Sequence, residues 1–236
     1  MRPSVKHGID CTVIGNIQDL VAYLAEYHKP LKRSPTLNPA SVPQELPKAL
    51  RELYCGLGAL IEMGRSETPS GGRAPFAAQD TLVPLSKLEH VDGMVEFAWE
   101  NQGCWSCRTP VNEEDPPVYS DAGDCYYERP GFLNVCDKLS HFLITLSLQE
   151  AVMSSPVLLA LENDSVEDAV APALRPLWLN GKYVFDGPTH NVFDVPGHDV
   201  LIMQHLEIGI WVASHSKRVF ELLKPEAEYD RIHNPA

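Results

Sequence analysis

The chain has 236 residues, 44% of them hydrophobic, and a formal net charge of -13 at pH 7. This length and apolar content allow one core without disulfide or metal staples, and we expect a single domain over residues 1–236. The charge argues against nucleic acid or an anionic membrane as a direct partner, because phosphate-binding surfaces need clustered Lys and Arg.

The distribution of apolar residues and cysteines predicts a cellular compartment. The first residues contain no apolar run of signal-peptide length, and no stretch holds 18 consecutive apolar residues. These features predict a cytoplasmic protein without a membrane partner. Six cysteines are scattered through the chain, and without a secretion signal this pattern favours reduced thiols.

The first third of the chain predicts two helices. Asn16 begins the first, which extends over residues 16–28 because apolar side chains recur there at helical spacing. The second begins at Pro43 or Leu46. We expect it to end at Gly56 and Gly58, followed by an edge strand over 59–62 and a flexible loop over 66–75.

Residues 92–121 combine strand alternation with a turn and a run of acids. A strand over 95–99, a turn at 101–103 and a second strand over 104–109 form a hairpin. The alternation places Val95, Phe97 and Trp99 on one face, with burial of Trp99 expected, and burial of Trp105 is open as an alternative to a role in binding. A double proline then leads into a third, edge-like strand over 118–120.

The remaining elements complete an α+β pattern. The predicted elements are a strand over 124–128, a helix that is capped by Asp137 and ends at Met153, a loop or short helix over 162–168, a hairpin over 177–185 that turns at Asn180-Gly181, strands over 200–203 and 208–213, and a helix over 216–223. Helices come early and late, with strands gathered between and after them. This order predicts helices packed on one side of a mainly antiparallel sheet.

Several motifs, in this order, resemble the SUKH superfamily. They are LPKALRELYCGLGAL, TLVPLSKLEH, VEFAWENQGCWSCRTP, DPPVY and a helix that begins near DKLSHFL. The superfamily takes in bacterial toxin-immunity proteins and fungal regulators of cell-wall synthesis. The resemblance covers residues 43–151 and implies a SUKH-like fold, with 177–223 as a C-terminal hairpin extension. No matched motif is catalytic, so the resemblance implies a protein without enzymatic activity or cofactor.

A local charge imbalance agrees with a protein-binding function. Residues 89–128 carry ten acids against the single base Arg108. The resemblance implies an immunity protein that covers a basic toxin domain such as a nuclease, and the alternative is a regulatory scaffold. The predicted partner-binding residues are Glu96, Glu100, Trp105, Glu113, Glu114, Asp115, Tyr119, Asp121, Asp124 and Tyr126. The acids would steer association and the aromatic residues would anchor it, while a purely solvated surface stays open as an alternative.

Cysteine and histidine chemistry gives weaker alternatives. Cys104 and Cys107 form a CxxC pair, but no apolar-periodic helix follows it as a redox motif requires. With Cys125 and Cys136 the pair would supply four thiolates for zinc, although only two of the four are closely spaced. We therefore expect reduced, metal-free and largely buried cysteines. The histidines form no GxSxG or HExxH motif, and a triad drawn from His198-Asp199 with Ser214 or Ser216 is a weaker alternative to surface or core histidines.

Overall fold

The computed structural model of the protein describes residues 13–32, 34–64, 73–126, 128–162, 165–184, 186–205, 208–225 and 227–233. Its helices are α1 Ile17–Tyr27, α2 Lys48–Ile61, α3 Ala122–Tyr126, α4 Leu139–Met153 and α5 Val166–Ala169. The first six strands are β1 Asp80–Leu82, β2 Glu89–Val91, β3 Met94–Glu100, β4 Ser106–Pro110, β5 Val118–Ser120 and β6 Leu133–Cys136. The last six are β7 Val157–Leu161, β8 Arg175–Lys182, β9 Pro188–Asp194, β10 Val200–His205, β11 Gly209–Ser214 and β12 Tyr229–His233. The predicted α+β class is confirmed.

The strands form two antiparallel sheets where the sequence predicted one. The first has the order β1-β3-β4-β5-β6, with β2 beside β3, and the second has the order β12-β7-β11-β10-β9-β8. Helix α4 explains the difference, because its residues from Leu139 to Val152 are buried around the whole circumference except at two positions. A helix of this kind must be covered on all sides. It contacts α1 and α2 as well as strands of both sheets.

The second sheet is buried on both of its faces. In β7, Leu158 belongs to the core around α4, whereas Val157 and Leu159 belong to a separate apolar cluster. That cluster also contains Val166 of α5 and Val219 of a 3-10 helix. The part from Val166 of the region predicted as a loop or short helix over 162–168 lies in α5. The helix predicted over 216–223 is observed as a 3-10 helix over Lys217–Leu222.

The first helix agrees with its prediction. Asn16 caps it, since its side-chain oxygen accepts the backbone N–H of Asp19 at 2.9 Å, as an N-cap residue does. Ile17, Leu20 and Leu24 form its buried stripe. Within the described residues no helix has the length and apolar character needed to cross a bilayer.

The predicted end of the second helix is wrong. Helix α2 continues through Gly56 and Gly58 to Ile61, so the predicted edge strand over 59–62 is also wrong. A Cβ atom on Gly56 would lie 2.3 Å from Cγ1 of Val21 in α1, and one on Gly58 would lie 2.4 Å from Cδ1 of Leu37. The glycines therefore serve close packing. Of the predicted loop over 66–75, residues 66–72 lie outside the described residues.

Replacing Gly56 by Ala should lower the free energy of unfolding by about 1–2 kcal/mol, although Ala is the better helix former. The reason is the overlap with Val21, a branched side chain that has few rotamers to escape into. Urea unfolding of Gly56→Ala, Val21→Ala and the double variant gives a double-mutant cycle. A favourable coupling in the double variant is expected, and additive losses would contradict the packing role of Gly56.

The central hairpin has the predicted partners but a different face for Trp99. Strands β3 and β4 are adjacent and antiparallel, and their pairing shifts between Glu96 and Ala98. This bulge reverses the alternation, so Ala98 and Glu100 are buried while Trp99 is half-buried on the outer face. The expected burial of Trp99 is wrong because an extra residue changes the period.

Two further strand predictions are corrected. Strand β5 is not an edge, since it pairs with both β4 and β6. Residues 122–126 form the short helix α3 instead of the strand predicted over 124–128. The backbone N–H of Ala122 donates to Ser120 Oγ at 3.1 Å, which turns the chain out of β5 at this point.

The predicted hairpin over 177–185 is also wrong. Strand β8 runs straight through Asn180, whose φ of 56° marks a bulge. Its backbone N–H donates to Asn191 Oδ1 of the neighbouring strand at 2.9 Å. The partner strand β9 begins only at Pro188, and Phe185 lies outside the described residues. The strands predicted over 200–203 and 208–213 are confirmed as β10 and β11.

Candidate functional site

A cleft of about 290 Å³ lies between the two sheets, beside α4. The first sheet and the loop before it contribute Gln79, Asp80, Glu100 and Trp105, α3 and α4 contribute Tyr126, Gln149 and Met153, and the second sheet side contributes Tyr183, Val184, Met203, His205, Ile208 and Trp211. Concave sites of this kind, apolar with a few convergent polar groups, are where proteins bind small ligands. This cleft was not predicted from the sequence.

A chain of hydrogen bonds forms the inner end of the cleft. The Gln149 amide donates from Nε2 to Asp80 Oδ2 at 2.8 Å, and the Tyr183 hydroxyl donates to the same oxygen. His190 Nε2 donates to Gln149 Oε1 at 2.8 Å, and the Thr189 hydroxyl lies 2.7 Å from His190 Nδ1. Because an amide oxygen only accepts, His190 must carry its proton on Nε2. The network thus links α4 to both sheets.

Glu150 fixes the backbone that positions Asp80. Its carboxyl accepts the backbone N–H groups of Ala78, Gln79 and Asp80 at 2.7, 3.1 and 2.8 Å. Burial and the nearby charge of Asp80 raise the pKa of Glu150 to about 8, against the opposing effect of these three donors. A carboxyl in helix α4 therefore holds the first strand in place across the core.

Burial also shifts the other titratable groups of the cluster. It raises the pKa of Asp80 to about 6, although the bonds from Tyr183 and Gln149 favour the ionised form. Burial, with a smaller effect of His205, lowers the pKa of His190 to about 3. Burial therefore disfavours both a protonated His190 and a charged Asp80 at the inner end of the cleft. Such perturbed groups in a cleft are typical of a functional site.

The sequence carried one signal of this cluster. Gln149 and Glu150 stand together in a helix whose other interior residues are largely apolar. A buried acid in such a helix requires partners. Asp80, Tyr183 and His190 are far apart in the chain and gave no comparable pattern, so only the fold brings them to Glu150.

Most of the predicted partner-binding acids make bonds within the chain. Glu96 pairs with Arg108 at 2.9 Å. Glu100 is buried and accepts the N–H groups of Gln102 and Cys104 at 2.6 and 3.2 Å, which closes the turn after β3. Asp121 accepts the Ser106 N–H at 2.6 Å, and the exposed Asp124 accepts the Gly131 N–H at 3.0 Å. Glu113 and Glu114 are both exposed, and Glu114 pairs with Lys48 at 3.0 Å.

Asp115 binds the N-terminal end of helix α4. Its carboxyl accepts both the backbone N–H and the hydroxyl of Ser140, each at 2.7 Å. The cap predicted at Asp137 is wrong, since Lys138 is the N-cap residue and its side chain makes no capping bond. A carboxylate near a helix N-terminus satisfies unpaired donors there and interacts well with the dipole. Asp115 thus contributes to the fold.

The three predicted aromatic anchors lie in different environments. Trp105 is buried, lines the inter-sheet cleft and meets Tyr183 edge to face at 5.8 Å. Tyr119 is half-buried on the outer face of the first sheet. Tyr126 is 48% exposed and lies at the rim of the cleft. Tyr119 and Tyr126 are therefore accessible to a partner at the surface.

The outer face of the first sheet is accessible along a continuous row of side chains. Glu89, Glu96, Arg108, Tyr119 and Asn134 occupy successive paired positions across five strands. Glu96 and Trp99 share a groove on this face with Asp121. Arg108, the single base between residues 89 and 128, is already paired with Glu96, so acids dominate the charge of this face.

The cysteines do not form the arrangements considered above. Cys107 is buried in β4, and the chain continues as a strand to Pro110, so the helix required by a redox CxxC motif is absent from this described segment. Cys104 is exposed and lies beside Cys125, whose thiol donates to the Cys104 carbonyl at 2.7 Å. The expected burial holds for Cys107 and Cys136 and is wrong for Cys104 and Cys125. Among the described residues no three potential metal ligands come together.

Comparison of the chain with protein-family models, with curated proteins and with solved structures found no match. The SUKH resemblance therefore rests on the sequence motifs. The outer face and the cleft are the two candidate binding surfaces of the described chain.

Proposed function

We propose that this chain is a SUKH-like, non-enzymatic protein-binding module that acts as an immunity protein against a basic toxin domain. The observation that supports this best is the outer face of the first sheet, defined by Glu96, Trp99, Arg108 and Tyr119. It combines half-buried aromatic side chains with a Glu96–Arg108 ion pair, and further acids of the first sheet are exposed around it. A cytoplasmic location and the absence of a direct nucleic-acid partner belong to the same proposal.

The aromatic residues of this face suit the centre of an interface. Trp99 and Tyr119 are half-buried before any partner binds, so complex formation would remove the rest of their surface from water. Tyrosine and tryptophan dominate the energy of many interfaces, each contributing about 2 kcal/mol or more when central. Phe132 adds a third ring, which the Arg108 guanidinium covers at 4.3 Å.

The exposed acids in the strands and connections of the first sheet suit electrostatic steering. Glu89, Asp92, Glu113, Asp124 and Glu128 are all exposed. A surface whose charges are mostly of one sign raises the association rate of a partner of opposite charge. Its effect on the dissociation rate is smaller. A basic nuclease domain presents such a partner surface, because it must hold phosphates. The alternative, a regulatory scaffold, would use the same face without a toxin gene as neighbour.

The test is binding to the product of a toxin gene adjacent to the gene for this chain. Raising salt from about 0.1 to 1 M shortens the screening length from about 10 to 3 Å, so association should slow by at least about tenfold. Glu113→Gln with Glu114→Gln should slow association as well, and Asp115 stays unchanged because it caps α4. Trp99→Ala should raise the dissociation rate by about thirtyfold, equivalent to about 2 kcal/mol.

The matched control is Glu221→Gln, which neutralises an exposed acid outside the first sheet. It should leave both rates unchanged. An association rate that changes neither with salt nor with the paired Gln replacements would show that the acids are only a solvated surface. Binding that survives Trp99→Ala with unchanged dissociation would place the interface elsewhere.

A further inference from the structure

The inter-sheet cleft has a buried inner end that holds two acidic side chains. Asp80 and Glu100 are only 3% and 9% exposed there. Both side-chain hydrogen bonds that Asp80 receives from described residues end at Oδ2, so Oδ1 remains to accept from a bound group. Among the described residues that line the cleft, none is a Lys or an Arg. The two acids thus face a cavity without a protein cation among its lining residues.

An ionised carboxyl at this depth requires compensation. Removing a charge from water costs several kcal/mol unless a partner of opposite charge or enough donors offset it. Tyr183 and Gln149 supply two donors to Asp80 but no positive charge. A cationic ligand would supply the missing charge, whereas an anionic ligand would face two acids in a low-dielectric cavity.

The rest of the lining suits a cation that carries apolar groups. Trp105, Tyr126, Tyr183 and Trp211 surround the cavity. The faces of aromatic rings attract ammonium and guanidinium groups by about 0.5–2 kcal/mol each. Met153 and Met203 add flexible side chains that adapt to alkyl groups.

The size and the opening of the cleft limit the ligand further. Its volume of about 290 Å³ lies at the lower end of the range of roughly 300–1,000 Å³ for small-molecule sites. Tyr126 and Ile208 are 48% and 63% exposed and mark the mouth, opposite the buried Asp80. A compact molecule can therefore place its charge inside and its remaining atoms toward the mouth.

We propose that the inter-sheet cleft binds a small organic cation, an alkylammonium or alkylguanidinium compound, with its charge beside Asp80 and its apolar part among the aromatic rings. This inference is independent of the protein partner proposed for the outer face. Its ligand chemistry follows from the carboxyls, the rings and the volume of the cleft.

Calorimetric titration of the full chain with choline and with agmatine tests the inference, with 3,3-dimethylbutanol as the neutral isostere of choline. At least one cation should bind at least about tenfold more tightly than the neutral compound and change the tryptophan fluorescence. Absence of binding by both cations at about 10 mM, or an affinity of the neutral isostere equal to that of the tighter-binding cation, would overturn the proposal.

Two variants locate the bound cation, and one controls for charge. Asp80→Asn and Trp211→Leu should each weaken cation binding by at least about tenfold, and Asp230→Asn, an exposed acid on β12, should not. If Asp80→Asn fails to fold, Trp211→Leu and the comparison of cation with isostere still decide. An arginine-containing peptide that binds about tenfold more tightly than agmatine would overturn the small-molecule assignment in favour of a protein side chain.

Discussion

Replacing Phe142 by Ala should lower the free energy of unfolding by about 4 kcal/mol, within the usual range for a buried aromatic residue. Phe142 is fully buried on α4. Its ring meets Phe97 of the first sheet edge to face at 5.7 Å and stacks on Tyr183, just after β8 of the second sheet, at 5.4 Å. The substitution therefore opens a cavity where α4 joins both sheets.

The matched control is the same substitution at Phe132, a half-buried ring on the outer face. Phe132→Ala should cost about 1 kcal/mol or less, because little buried area is lost. Chemical unfolding at neutral pH measures both. Similar losses for the two variants would contradict the position of α4 between the sheets.

Stability should fall by about 3 kcal/mol between pH 6.5 and pH 4.5. Burial lowers the pKa of His28 to about 3, that of His190 to about 3 and that of His215 to about 4, the last against the opposing charge of Asp199. In this range the histidines bind protons in the unfolded chain but stay neutral in the folded chain. Each histidine therefore lowers the free energy of unfolding by up to about 1.4 kcal/mol for each pH unit that the pH falls.

The buried carboxyls act in the opposite direction. The pKa of Asp80 is raised to about 6 and that of Glu150 to about 8, so the folded chain holds protons that the unfolded chain has lost. Their contribution is present at acid pH and is lost as the pH rises through these values. It offsets part of the histidine effect, which is why three histidines give only about 3 kcal/mol over two pH units, and stability should be greatest near pH 7.

The variant His28→Phe separates the histidine effect from the rest. Both ring nitrogens of His28 are buried without a hydrogen-bond partner among the described residues, and aromatic rings surround the side chain, so Phe suits the site. Unfolding curves at several pH values should show an acid limb shallower by about 1.4 kcal/mol per pH unit. His90→Phe, at an exposed position, should keep the limb. An unchanged acid limb in His28→Phe would mean that His28 is already protonated in the folded chain.

Elements with a local signal were predictable from the sequence. Asn16 and the apolar stripe after it gave α1, and the turn at residues 101–103 gave the pairing of β3 with β4. These signals act within a few residues, because caps, turns and periodic burial are decided by near neighbours. The α+β class followed from them.

The predictions from the sequence were wrong where contacts with residues far away in the chain determine the local structure. Gly56 and Gly58 resemble a helix end, yet contacts with Val21 and Leu37 explain them. Asn180-Gly181 resembles a hairpin turn, yet Asn191 of the neighbouring strand holds Asn180 in a bulge. A Gly or Asn permits several backbone conformations, and only the packed neighbours select one.

The residue composition of the two surfaces could be predicted from the sequence. The positions of these residues in space depend on the tertiary structure. The excess of acids around residues 89–128 is a property of the sequence, but only the fold shows that Asp115 caps a helix and that Glu100 closes a turn. The inter-sheet cleft joins Asp80 to Gln149 and Tyr183, which are 69 and 103 residues away. Contacts over such separations leave no periodic trace in the sequence, because their geometry exists only once α4 is enclosed by both sheets.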